Sequence, residues 1–101
     1  MDEQQRVAAF VEEYDLQGEP AFRVLDLAAE VGEIAADATK STDWGTKPND
    51  LDVETDEIGD ALFSLLAVAE SLDIDAGDAL DESLAKYEER LDETGSASSD
   101  G

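Results

Sequence analysis

The chain has 101 residues, 42% of them hydrophobic, enough to bury the modest core of one small domain. Six Lys and Arg against 28 Asp and Glu give a net charge of -22, which disfavours binding to a nucleic-acid backbone. Neither Cys nor His is present, which excludes disulfides, thiol chemistry, imidazole acid–base catalysis and the usual zinc sites.

The acid is spread along the whole chain, as on the surface of a halophile's protein, where charges are screened within about 3 Å at roughly 1 M salt. A nucleic-acid mimic or an acidic tail is the competing reading of such a balance. No apolar run of 18 residues occurs, and "MDEQQR" lacks the basic-then-apolar order of a signal peptide. A cytoplasmic protein with no membrane partner is expected.

In chain order, residues 3–15 place Val7, Phe10, Val11 and Tyr14 on one helical stripe, with Phe10 and Tyr14 expected in the core or a dimer contact. "LQGEP" breaks this helix. A second helix is predicted from Pro20 or Ala21 to about Thr39, Pro suiting its first turn, with Val24, Leu27, Val31, Ile34 and Ala35 as its apolar face. Residues 40–52, "KSTDWGTKPNDLD", have the Gly, Pro, Asn and Asp content of a loop. A third helix follows from about Val53 to Ser71, with Ile58, Leu62, Leu65, Leu66 and Ala69 inward. After the turn "LDID", Asp75 can cap a fourth helix, Ala76 to about Asp92, whose stripe is Leu80, Leu84, Tyr87 and Leu91. The prediction is thus an all-α, four-helix domain over residues 1–93, completed by oligomerisation, with a disordered tail at 94–101. "DIDAGDALDE" superficially suggests a calcium loop, but Gly77 and Asp78 occupy the wrong positions for its acceptor and turn glycine.

Two tetrapeptides stand out: "EVGE" at 30–33 and "EIGD" at 57–60. Each puts two carboxylates about 60° apart on a helix, beside the apolar stripe. The spacing alone is weak, because the chain holds eight acid pairs at i, i+3 and about seven or eight are expected by chance. The surroundings matter more. If the second and third helices pack along their stripes as antiparallel neighbours, Glu30, Glu33, Glu57 and Asp60 can converge. Four like charges at the edge of a core need protons or a cation, and an all-oxygen set suits a hard ion, Mg²⁺ or Mn²⁺, that phosphates can bridge. The interior glycines Gly32 and Gly59 each cost about 1 kcal/mol relative to Ala, which points to close approach of a helix or ligand. Ordinary solvated helix edges with incidental glycines remain the alternative.

"AEVGEIAAD", then "DEIGDALFSLLAVAESLDID", then "LAKYEER" closely resemble the MazG-like branch of the all-α nucleoside triphosphate pyrophosphohydrolases. The likeness spans roughly residues 22–90. The family pattern ExxE, spacer, ExxD is filled by Glu30 and Glu33, a 23-residue spacer, and Glu57 and Asp60. The resemblance implies hydrolysis of a nucleoside triphosphate between the α- and β-phosphates, with these four residues holding Mg²⁺, for which Mn²⁺ is a possible substitute, and one of them doubling as general base. It implies phosphate contacts for Lys86 and Arg90, which share a helix face; a surface ion pair or helix-end charge is their alternative role. In the loop, Trp44 would stack on a base, with Lys47 or Asn49 reaching a phosphate or base edge; a hydrophobic anchor and a solvated charge are the plainer readings of Trp44 and Lys47. Two features depart from relatives: Ala29 stands where many have a first acid, and the Tyr-His pair of phosphoribosyl-ATP pyrophosphohydrolases is missing. The expected enzyme cleans the nucleotide pool as a homodimer or homotetramer. Its rival is a non-catalytic acidic helical module that binds a divalent metal or a protein partner.

Overall fold

The computed structural model describes residues 1–95, apart from the side chain of Thr94. Four helices run in order, α1 Asp2–Glu13, α2 Pro20–Ser41, α3 Thr55–Ser71 and α4 Ala76–Thr94, with a 3₁₀ turn at Pro48–Asp50. No strand occurs among the described residues, and no helix there is long and apolar enough to cross a membrane. Most of the tail expected to be disordered lies outside the described residues; α4 continues to Thr94 before Gly95 adopts a left-handed cap.

Helix boundaries follow local chemistry. Pro20 opens α2, where a missing N–H costs nothing. Asp75 caps α4, its Oδ1 accepting from Asp78 N at 3.0 Å. That bond holds the Asp75 carboxyl below its ordinary range. At the end of α1 and after α3, Asp15 and Asp73 take φ of 53° and 56°, conformations that Asp tolerates better than most residues.

α3 lies between α1 and α2. On one side Glu57 meets Asp37, Glu30 neighbours Asp60, and Arg23 shares a cavity with Phe63 and Ser64, so α2 and α3 are antiparallel. On the other, Gln4 bonds Glu70 and Phe10 packs edge-on to Phe63, with ring centroids 5.9 Å apart, so α1 is also antiparallel to α3. Gln4 is almost fully buried. Its Nε2 donates to Glu70 Oε1 at 3.0 Å and to the Ile74 carbonyl at 2.8 Å, while its Oε1 accepts from Ala76 N at 2.7 Å. One amide therefore joins α1 to the turn that launches α4.

The apolar stripes are less buried than their periodicity predicts. Leu66, Ala67 and Ala69 form the buried apolar core, but Ile58, Leu62 and Leu65 on α3 and Val24 and Val31 on α2 are exposed in the chain. Phe10 and Tyr14, their rings tilted at 49° with centroids 4.8 Å apart, remain exposed. Among the described residues α4 packs extensively against no other helix, and Leu80, Leu84, Tyr87 and Leu91 are exposed. Within the described chain no helix closely approaches the tetrapeptide glycines: a Cβ added at Gly32 or Gly59 would meet nothing within 4 Å. Periodicity identifies an apolar face; it does not say what covers it.

Candidate functional site

The face of α2 that meets α3 carries Asp26, Glu30, Glu33 and Asp37, spaced by 4, 3 and 4 residues, so they fall in one narrow arc of the helix. Opposite stand Glu57 and Asp60, on the first two turns of α3. The antiparallel pairing sets Asp60 beside Glu30 and Glu57 beside Asp37, while Glu33 neighbours both Glu30 and Glu57. The four tetrapeptide acids are thus brought to one helix–helix seam.

The seam is strained electrostatically. The Glu57 carboxyl is pushed up to about 7, first by a hydrogen bond to Asp37, then by burial and the charges of Asp37, Glu33 and Asp56. Glu30 is raised by burial and by Glu33, Asp60 and Asp26. The Oε2 atoms of Glu30 and Glu57 are shut off from solvent without a hydrogen-bond partner. A carboxylate oxygen so placed lacks the compensation that desolvation normally requires. A hard divalent cation would supply it, and the donor set, all carboxylate oxygen, fits Mg²⁺ or Mn²⁺. Among the described residues no three acidic side chains already close around a single point.

Asp26 and Asp37 were not legible as members of this cluster. Asp37 accepts from the backbone N–H of Glu54 at 3.4 Å, just ahead of α3, and so ties the end of α2 to the start of α3. Only the spacing 26, 30, 33, 37 marks them, and one such series is easily lost among 28 acids.

The loop residues form a structured turn between α2 and α3. Buried Thr42 donates to the Ala38 carbonyl and accepts from Gly45 N at 3.0 Å, while Ser41 Oγ accepts from Asp52 N at 2.9 Å. Between these pins, Asp43, Trp44 and Gly45 all have positive φ, at 50°, 59° and 85°. For a bulky residue such as Trp44 this is a strained conformation, yet its side chain is 84% exposed. It is no hydrophobic anchor within the chain. Lys47 precedes the 3₁₀ turn, its carbonyl accepting from Asp50 N at 3.0 Å, and Asn49 lies inside that turn; both are exposed.

Lys86 and Arg90 share a face of α4, placed 5.4 and 5.8 Å from the Tyr87 ring centroid. Because α4 has no extensive packing on α2 or α3, folding of one chain does not press this face onto the carboxylate seam.

Comparison with curated proteins and with solved structures gives no match. The family model of the MazG nucleotide pyrophosphohydrolase domain matches residues 20–94, which takes in α2, the pinned loop, α3 and α4. With both tetrapeptides inside that match and on facing helices of an all-α fold, the chain belongs to the MazG nucleotide pyrophosphohydrolase domain family.

Proposed function

We propose that the protein hydrolyses nucleoside triphosphates, standard or damaged, to nucleoside monophosphate and pyrophosphate, depends on Mg²⁺ or Mn²⁺, and acts as a nucleotide-pool house-cleaning enzyme. The observation that carries this reading is the pair of solvent-excluded, unpartnered oxygens on Glu30 and Glu57, one from each tetrapeptide and one from each side of the α2–α3 seam, in a chain of the pyrophosphohydrolase family.

In this reading Glu30, Glu33, Glu57 and Asp60 hold the metal. Bound there, Mg²⁺ would neutralise phosphate charge, lower the pKa of water and stabilise the leaving pyrophosphate. The chain's own groups do the rest. One water is consumed as the bond between the α- and β-phosphates breaks; its oxygen ends in one product, and a proton passes to a base. Glu57 is assigned to take that proton, with Asp37 against it across the seam. Asp37 orients it. Trp44, held outward by the pinned loop, is assigned to stack on a nucleobase, and the exposed Lys47 and Asn49 of the same loop to a phosphate or base edge.

Lys86 and Arg90 are assigned to phosphate contacts. Because α4 stands off from α2 and α3, the reading places a second copy of the chain against the exposed stripes of α3 and α4, so that a homodimer or a dimer of such dimers completes the site. The acidic surface suits operation in concentrated salt inside the cell.

The test is pyrophosphate release from a panel of standard and damaged nucleoside triphosphates in high salt, with and without Mg²⁺ or Mn²⁺. Metal-dependent release supports the reading and begins to name the substrate. Stoichiometric metal binding by folded protein without turnover on any nucleotide would replace it with the acidic binding module.

A further inference from the structure

Beside the carboxylate seam lies a cavity of about 240 Å³ lined by Arg23, Asp26, Glu30, Asp60, Phe63 and Ser64. Arg23 is the single cation in this lining. It sits two helical turns before Glu30 on the same face of α2, at the head of the series 23, 26, 30, 33, 37. Ser64 is the position one turn after Asp60 on α3. Both side chains are half-buried.

The guanidinium of Arg23 donates through Nη2 to the Leu16 carbonyl. A guanidinium has five N–H donors in a fixed fork, so one backbone bond leaves several unused. In a chain with 28 acids and six bases, any half-buried arginine is expected to be claimed by a carboxylate, yet among the hydrogen bonds of the described residues this one bonds only a carbonyl. Asp26, three residues on, stands in the same cavity without pairing to it. The cavity is thus bordered by an arginine with unused donors and a hydroxyl, together with the metal-seeking carboxylates Glu30 and Asp60.

We propose that this cavity is the subsite for the terminal phosphates of the substrate, with Arg23 and Ser64 binding the end of the triphosphate that leaves as pyrophosphate. The assignment rests on the hydrolase reading above for its substrate, and adds to it the direction in which the triphosphate lies: nucleoside toward the loop of Trp44, terminal phosphate toward the start of α2. The fork matches phosphate oxygens geometrically, which a lysine would not. Asp26 has a second consequence. Its charge repels a bare polyphosphate, so the subsite takes pyrophosphate as the metal complex. Contact with the last phosphate also gives a preference for triphosphates over diphosphates, which lack that phosphate.

The experiment is calorimetric titration of inorganic pyrophosphate, with and without Mg²⁺, into wild type, Arg23→Gln, Arg23→Lys and Ser64→Ala, with nucleoside monophosphate as the control ligand. Arg23→Gln is expected to weaken magnesium pyrophosphate by roughly tenfold or more and Ser64→Ala by about threefold, with monophosphate affinity unchanged. On substrate, Arg23→Gln should collapse the ratio of triphosphate to diphosphate kcat/KM, which a purely structural arginine would not do. Wild-type pyrophosphate affinity in folded Arg23→Gln overturns the proposal, as does equal loss for monophosphate. If Arg23→Gln fails to fold, wild-type affinity in both Arg23→Lys and Ser64→Ala overturns it instead. A wild type that binds magnesium pyrophosphate through Arg23 but hydrolyses no triphosphate would sink the hydrolase reading and leave the subsite standing; a wild type that binds no pyrophosphate sinks the subsite.

Discussion

Glu57, on the first turn of α3, shares a hydrogen bond with Asp37, one turn before the end of α2, and this contact is the largest cause of its carboxyl being pushed up to about 7. A bond between two carboxyl groups needs a proton. The folded metal-free chain therefore binds a proton more tightly at Glu57 than the unfolded chain, whose value is the ordinary 4.5. By linkage, the stabilisation is fully present below about pH 4.5 and is lost as pH rises through about 7. In chelator and high salt, the melting temperature should fall from pH 5 to pH 7.5. The Glu57→Gln variant should show a distinctly flatter profile, and a wild type whose stability climbs over that interval would contradict the contact.

Metal should reverse the trend. With Mg²⁺ or Mn²⁺ at about 100 times its dissociation constant, the protein is expected to gain about 2.7 kcal/mol at pH 7.5. Glu57→Gln and Asp60→Asn should lose most of this gain and at least roughly 100-fold in pyrophosphate release while keeping the helical circular dichroism of wild type. Near-normal turnover in either variant would refute the ligand assignment.

Gln4 yields a prediction about stability alone. Truncation to Ala leaves the Ile74 carbonyl and the Ala76 N–H without their partner in a partly buried place, which should cost about 1 kcal/mol in urea denaturation. Gln4→Glu keeps the acceptor for Ala76 but sets a carboxylate against Glu70. Its deficit should be larger at pH 7 than at pH 4.5, and the crossover is readable from two denaturation curves.

Trp44 should separate stability from function. Glycine accepts φ of 59° freely, so Trp44→Gly is expected to hold or raise stability, by about 1 kcal/mol at most. If the indole carries the base, the same variant raises KM for the triphosphate severalfold with little change in the affinity for inorganic pyrophosphate. An unchanged KM would return Trp44 to the role of an ordinary exposed loop residue.

Much of the architecture was readable from short-range chemistry. Pro20 and the Asp75 cap mark the helix starts within a residue, and the repeated tetrapeptides pick out the seam between α2 and α3. What the sequence could not convey depends on contacts across the fold. Asp37 belongs to the cluster because α3 begins beside it, and Asp26 because antiparallel packing brings it near Glu30. Neither relation has a local pattern strong enough to rise above so many acids. The apolar stripes of α3 and α4 were legible as stripes, but burial is a property of neighbours, and for Leu62, Leu65, Leu80 and Leu84 the chain supplies too few.

α4 is anchored where it begins and loosely packed thereafter, which makes it mechanically a lever. From Ala76 to Arg90 the rod is roughly 21 Å long at 1.5 Å per residue, so a swing of about 10° at the turn before it carries Arg90 through nearly 4 Å. The fulcrum is the turn that Gln4 grips through Ile74 and Ala76. A slight tilt of α1 is thereby magnified at the far end of α4.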